Sequence, residues 1–143
     1  MLVFGSIAPQ TPKSASKYGL IHSDLRLANL LIQDNETKLI DFDDCGFSWY
    51  MHDLASAVSF VEDHESLPTW IARWIAGYEK IGKLTREDID IIPALIMQRR
   101  IQLLSWFSSH SDTMLAHELG EAWIKDTVAL ANEYLSGRYL NNL

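Results

Sequence analysis

The hydrophobic pattern changes near residue 50, and this change constrains the fold more than any other feature of the sequence. Before it, two short apolar runs, Leu30-Leu31-Ile32 and Leu39-Ile40, flank the polar cluster at 33–37, which predicts a β-hairpin. Gly19-Leu20-Ile21 predicts one more short extended segment. After residue 50, apolar residues recur at helical spacing, which predicts four or five helices and no second sheet.

Several helix ends can be located from the sequence. Ser66 precedes the second predicted helix as its cap, and Thr85 with Asp88 forms a capping pair before the third. Pro93 is expected to separate a short helix from a longer one. A last helix is predicted from about Thr113 to Ser136. We therefore expect one α+β, mostly α, domain over 18–143, after an irregular leader over 1–17.

Bulk composition excludes some classes of function. The chain has 143 residues and a net charge of -7, which argues against a nucleic-acid partner because phosphate binding needs clustered Lys and Arg. No apolar run approaches the roughly 20 residues that span a bilayer, so no membrane partner is expected. Cys45 is the sole cysteine, so no internal disulfide can form. We interpret the protein as cytoplasmic.

The residues with chemical potential lie between 22 and 53. The segment His22-Ser23-Asp24-Leu25-Arg26-Leu27-Ala28-Asn29 precedes the predicted hairpin, and Asp41-Phe42-Asp43-Asp44 follows it. Because a hairpin returns the chain close to its start, Asp41 is expected near Asp24 and Asn29. Phosphoryl transfer needs such a cluster: one carboxylate orients the acceptor hydroxyl, and hard oxygen ligands hold Mg²⁺ against the phosphates of ATP.

This pattern resembles a known family. The spacing His-x-Asp-Leu-x-x-x-Asn is that of the protein-kinase catalytic loop, and Asp41-Phe42 resembles the start of its Asp-Phe-Gly motif. The aminoglycoside phosphotransferase and choline kinase superfamily is more similar still, since Ile40-Asp41-Phe42-Asp43 and His52-Asp53-Leu54-Ala55 both match its motifs. The resemblance covers about residues 18–62 and implies the C-terminal lobe of a protein-kinase-like fold.

The resemblance also implies roles for individual residues. Asp24 would be the catalytic base, and Asn29 and Asp41 would bind Mg²⁺ and, through it, ATP. Asp43 or Asp44 would assist the metal. His22 and Asp53 would support the loop rather than react. The implied activity is ATP-dependent and Mg²⁺-dependent phosphorylation of a hydroxyl group. The acceptor is expected to be a small polar molecule and not a peptide, because the sequence lacks the Ala-Pro-Glu segment with which protein kinases dock peptides.

The upstream part of the sequence departs from the family. Only 21 residues precede His22, too few for the N-terminal lobe that carries the glycine-rich turn and the phosphate-binding Lys. An alternative is therefore that the chain is a truncated, inactive lobe that serves as a binding module or is a gene remnant. Without an N-terminal lobe, the apolar face that normally contacts that lobe would be exposed. This predicts a homodimer or a partner that supplies the missing lobe.

Two further interpretations of the motifs are weaker. The run Leu39-Ile40-Asp41-Phe42-Asp43 approximates the motif of haloacid-dehalogenase phosphatases, but that fold needs parallel strands downstream, where this sequence is helical. The run from Gly77 to Leu84 has the glycine and lysine spacing of a P-loop. It ends in Leu84 instead of Ser or Thr and follows a helix instead of a strand.

Overall fold

The computed structural model describes residues 13–143. Residues 1–12, most of the predicted leader, lie outside this range. The elements are, in order, β1 Tyr18–Ile21, β2 Leu30–Gln33, β3 Glu36–Leu39, β4 Gly46–Trp49, α1 Met51–Ala57, α2 Leu67–Tyr78, α3 Arg86–Asp90, α4 Ile92–Ser109 and α5 Met114–Leu135. The predicted α+β, mostly α, class is confirmed, and the helical segments of residues 13–143 follow the small β region as expected. No helix of residues 13–143 is long and apolar enough to cross a bilayer.

The predicted hairpin is formed by β2 and β3. The strands pair antiparallel from Leu30↔Leu39 to Gln33↔Glu36. Asp34 and Asn35 make the two-residue turn with φ of 52° and 62°. Both values lie in the left-handed region that Asn and Asp tolerate and that tight hairpin turns require.

The extended segment predicted at 19–21 is present as β1, but the expectation of no second sheet was wrong. β4 pairs antiparallel with β1, from Tyr18↔Trp49 to Ile21↔Gly46, and makes a second two-stranded sheet. The rings of Tyr18 and Trp49 meet edge to face at 5.4 Å across this pair. A four-residue strand whose partner lies more than 20 residues earlier leaves little local signal. Its alternating aromatic residues, Phe47 and Trp49, were the available hint.

The hydrophobic core lies between α1, α2 and the first half of α4. Its fully buried side chains are Met51, Leu54, Ala55, Val58, Leu67, Ile71, Ile92, Leu95 and Ile96. The helical spacing of these residues turns one apolar face of each helix inward. This core fixes α1 against α4, which brings the segment before α1 close to the middle of α4.

Helix ends follow the sequence signals in part. Thr85 and Asp88 form the predicted capping box at α3, and Pro93 stands in the first turn of α4. Ser66 precedes α2 but its side chain makes no capping hydrogen bond. α1 ends at Ala57, although apolar residues at helical spacing continue to Val61, and the chain turns at Phe60, whose φ is 73°.

A buried ion pair joins α4 to the loop that follows α1. Arg100 donates to the Glu62 carboxylate at 2.5 Å, to Thr127 Oγ1 at 2.8 Å and to the Trp123 carbonyl at 3.0 Å. Its guanidinium also stacks on the Trp123 ring at 3.9 Å. Burial raises the pKa of Glu62, while the adjacent charge of Arg100 lowers it. This pair holds α5 and the loop at 58–62 against α4.

Candidate active site

Asp53, in the first turn of α1, holds the loop that carries Asp24. Its two carboxylate oxygens accept backbone hydrogen bonds from the amides of His22, at 2.9 Å, and Ser23, at 2.8 Å. Ser23 has a φ of 68°, a left-handed conformation that a non-glycine residue adopts at a cost. The paired hydrogen bonds to a charged group offset that cost. Ser56, one helical turn later, accepts from the Leu25 amide at 2.9 Å.

Two hydrogen bonds connect this loop to the segment before Asp41. Ring nitrogen Nε2 of buried His22 lies 2.9 Å from the Ile40 carbonyl, to which it donates. The Ile40 amide donates to the Asn29 carbonyl at 3.1 Å, one position beyond the β2–β3 ladder. The hairpin therefore returns the chain so that Asp41 follows a residue bonded to both ends of the loop, as predicted.

Asp24 is surrounded by donors. Asn29 Nδ2 donates to its carboxylate at 3.0 Å and to its backbone carbonyl at 2.8 Å. Arg26 Nε donates to Oδ2 at 3.0 Å, and Arg99 Nη2, from α4, donates to Oδ1 at 2.6 Å. The Asp24 side chain keeps 13% of its surface exposed, so this carboxylate remains open to a ligand from the cavity beside it.

That cavity has a volume of about 540 Å³. This lies within the usual range for small-molecule sites. Acidic and basic groups share its walls with the aromatic side chains of Phe60 and Trp106. The lining residues are Ser23, Asp24, Arg26, Asp41, Asp44, His52, Phe60, Arg99, Gln102, Leu103, Trp106 and Leu115.

The structure brings together most of the residues that the sequence singles out. Asp24 and Asp41 line the same cavity, and Asn29 contacts Asp24. Of the two carboxylates that follow Asp41, Asp44 lines the cavity and Asp43 does not. Asp53 lies behind the loop and accepts hydrogen bonds from its backbone, whereas the ring of His22 contacts the Ile40 carbonyl directly before Asp41.

The donor chemistry around the cavity suits a hard divalent cation. Because the amide nitrogen of Asn29 bonds to Asp24, its oxygen Oδ1 is the atom that can bind a cation. Asp41 adds a carboxylate on the same cavity. Within residues 13–143 no three His, Cys, Asp or Glu side chains converge as a complete metal cage. Mg²⁺ at nucleotide sites usually takes only one or two carboxylates, the rest being phosphates and water.

Sequence reasoning missed Arg99 and His52. In the long helix predicted after Pro93, Arg99 shares its helical spacing with the apolar residues Ile96 and Leu103. A charged residue at such a position was the available signal. Burial lowers the pKa of His52, the Arg99 charge lowers it further, and Asp53 opposes both. His52 therefore faces the cavity as a neutral imidazole at neutral pH.

Comparisons with known proteins identify relatives of this chain among kinases. A model of the phosphotransferase enzyme family matches residues 4–89. Amicoumacin kinase of Bacillus subtilis (strain 168) is 26% identical over 99 residues, which is 63% of this chain and 30% of that protein. The structure of a microcompartment-associated aminopropanol kinase matches with a TM-score of 0.83 and 37% identity, over 96% of this chain and 43% of the other.

A more distant structure shares the fold. An amicoumacin kinase in complex with AMP-PNP and Ca²⁺ matches with a TM-score of 0.71 and 20% identity, again over 43% of its chain. The chain thus spans less than half the length of these relatives. The family model nevertheless matches more than half of this chain and includes the loop, the hairpin and α1. The chain therefore belongs to the phosphotransferase enzyme family.

Proposed function

We propose that this chain is the C-terminal, catalytic lobe of a kinase that moves the γ-phosphoryl group of ATP to a hydroxyl of a small amine-bearing molecule. The observation that carries the proposal is the shared cavity of Asp24 and Asp41, with Asn29 bonded to Asp24. This juxtaposition is what phosphoryl transfer requires: a base at the acceptor and oxygen ligands at the phosphates.

In this proposal Asp24 is the general base. Its carboxylate orients the acceptor hydroxyl and accepts its proton as the acceptor oxygen bonds to the γ-phosphorus. The bond between that phosphorus and the bridging oxygen of ADP breaks, and ADP leaves with the electron pair. Asp53 would keep the base in place through the loop backbone, and the His22 ring would tie the loop to Ile40, the residue before Asp41.

Asn29 and Asp41 would hold Mg²⁺, with Asp43 or Asp44 as an additional carboxylate nearby. When bound, the ion neutralises charge on the phosphates of ATP. Asp44 is better placed than Asp43 because it lines the cavity. The Ca²⁺ and AMP-PNP named for the structural relative support a divalent cation with a nucleotide.

The acceptor class follows from the relatives and the cavity. One structural relative is an aminopropanol kinase, which points to a small amino alcohol. The cavity offers the Phe60 and Trp106 rings and the Asp44 carboxylate, which suit an ammonium group. Its volume of about 540 Å³ is ample for such a molecule.

A second candidate function rests on a separate observation. Large apolar side chains on the β strands and adjoining loops are exposed, including Ile32 and Phe47. Such an apolar patch is typical of an interaction surface. It favours the alternative that the chain is a binding module, which is inactive until another polypeptide covers the patch.

Calorimetric titration of Mg-ATP and a coupled ADP-release assay with a panel of amino alcohols test the proposal. We expect saturable Mg-ATP binding that Asp41→Ala abolishes, because a metal ligand is lost. We expect Asp24→Asn to retain Mg-ATP binding and to lose turnover by about a hundredfold or more, since general-base catalysis contributes 10²–10⁴-fold.

Asp34→Asn is the matched control, because Asp34 is an exposed carboxylate in the hairpin turn, away from the cavity, and Asn tolerates the same φ. It should behave as the parent chain does. Full turnover by Asp24→Asn would refute the assigned base. Mg-ATP binding without turnover of any acceptor would favour the binding-module alternative.

A further inference from the structure

Two guanidinium groups converge on Asp24 from distant parts of the chain. Arg26 belongs to the same loop as Asp24, whereas Arg99 lies 75 residues after Asp24, on α4. Arg99 is anchored by its place on α4, and its Nε lies 3.4 Å from Ser59 Oγ. Both arginines line the cavity and both keep part of their surface exposed, 32% for Arg26 and 16% for Arg99. The two guanidinium groups form a cationic site, and the Asp24 carboxylate lies between them.

This arrangement would change during the proposed reaction. While Asp24 is ionised, its two oxygens occupy both guanidinium groups. Once Asp24 accepts the acceptor proton, it loses the charge that holds them, and a new dianionic phosphate has formed on the oxygen beside it. A guanidinium group 2.6 Å from Asp24 is within reach of that phosphate.

We propose that Arg99, together with Arg26, binds the phosphate of the phosphorylated acceptor, a phosphomonoester of a small alcohol. This inference rests on the proposed function, because it places the phosphoryl group beside Asp24. Arg matches the oxygens of a phosphate with paired N–H donors and keeps its charge at every physiological pH. Arg99 lies beyond residues 4–89, so the family match does not assign it.

The other charges around the cavity are compatible with this site. Asp41 and Asp44 oppose a phosphate, and a bound divalent cation would neutralise them. His52 is neutral at neutral pH, since burial and the Arg99 charge lower its pKa. The two arginines are therefore the cationic side chains of the cavity lining.

The test is equilibrium titration of O-phosphoethanolamine into the full chain with Mg²⁺ present, which needs no turnover. We expect Arg99→Gln to weaken binding by about tenfold or more, the loss expected for charge-assisted hydrogen bonds. We expect Asp24→Asn to strengthen it, because the competing carboxylate becomes a neutral amide. Arg86→Gln is the control, because Arg86 is exposed on α3 and pairs with Asp90.

Two more titrations separate the charge of Arg99 from its forked shape and from general damage to the cavity. Arg99→Lys should bind O-phosphoethanolamine with intermediate affinity, because it keeps the charge and loses the fork, and it replaces Arg99→Gln if that variant does not fold. Ethanolamine, which lacks the phosphate, should bind Arg99→Gln as it binds the parent chain.

The inference is overturned if Arg99→Gln or Arg99→Lys binds O-phosphoethanolamine as tightly as the parent chain, or if Asp24→Asn binds it more weakly. Inorganic phosphate is titrated in the same way. If Arg99→Gln weakens the binding of inorganic phosphate but not the binding of O-phosphoethanolamine, the inference is also overturned. Failure of the proposed base would appear separately, as turnover that survives in Asp24→Asn.

Discussion

Asp53 shows how one helical side chain can fix the backbone of a loop far from it in the sequence. Its carboxylate accepts the amides of His22 and Ser23 and so stabilises the left-handed backbone at Ser23, directly before Asp24. The family motif Tyr-Asp-Leu-Ala appears here as His52-Asp53-Leu54-Ala55, and this geometry gives its Asp a physical task. That task is to hold the backbone of the loop directly before Asp24.

Local motifs made part of the site predictable. The positions of Asp24, Asn29 and Asp41 depend on short spacings and on one hairpin, so their proximity could be predicted from the sequence alone. The contact of Arg99 with Asp24 depends on how α4 packs against α1, which no short spacing encodes. The same packing decides that Arg99 faces the cavity while its neighbour Arg100 is buried against Glu62.

The titration of His52 is a sensitive measure of this packing. Burial lowers its pKa below the ordinary value of histidine, and the Arg99 charge adds to the effect. We expect NMR titration of the His52 ring to show that lowered pKa and to show an upward shift in Arg99→Gln, in which the nearby positive charge is gone. The ring signal can be assigned with His52→Gln.

The sign of the accompanying pH effect follows from linkage. Because the folded pKa of His52 is lowered, the unfolded chain takes up the proton first as the pH falls. Stability from this residue is complete above the ordinary histidine pKa and is lost as the pH drops through the lowered one. Arg86→Gln should leave the His52 titration unchanged. An unchanged His52 pKa in Arg99→Gln would contradict the effect of the Arg99 charge on this ring.

At the scale of elements, α5 departs from its pattern at Gly120. This residue has φ of 59° and ψ of -167°, which interrupts the helix between Met114 and Leu135. The sequence predicted one continuous helix there, because a single glycine among helix formers is usually tolerated. The backbone conformation at Gly120 is one that essentially only glycine adopts.

Gly120→Ala and Gly77→Ala are a matched pair of substitutions that should change the free energy of unfolding in opposite directions. We expect Gly120→Ala to lower the free energy of unfolding by about 1–3 kcal/mol, since a Cβ strains this backbone. Gly77 is exposed within α2, has helical geometry and has no atom within 4 Å of an added Cβ. Gly77→Ala should therefore raise the free energy by about 0.5–1 kcal/mol.

Chemical denaturation followed by circular dichroism measures both changes. Equal effects of the two substitutions would contradict the interruption at Gly120. A stabilising Gly120→Ala would mean that α5 runs straight through this position.

At the scale of the whole molecule, the two small sheets leave apolar surface uncovered. The β2–β3 hairpin is exposed on both faces, as its alternating neighbours Leu31 and Ile32 show, with 49% and 77% of their surfaces accessible. Other exposed apolar side chains of this region are Leu20, Leu27, Leu39, Ile40, Phe42 and Phe47. Monomeric proteins seldom expose such a set together. The relatives, more than twice as long, have further chain that could cover the equivalent surface.

We expect the 143-residue chain by itself to self-associate through this hairpin. Sedimentation velocity over a range of concentrations should show a reversible increase in mass. Ile32→Thr keeps a β-branched residue in the strand but removes apolar surface, so it should weaken association by about tenfold, equivalent to roughly 1.4 kcal/mol. Ile81→Thr removes the same surface from a fully exposed turn after α2 and should have no effect. A parent chain that stays monomeric at every concentration would mean that the hairpin needs no cover, and the apolar patch would then no longer support the binding-module alternative.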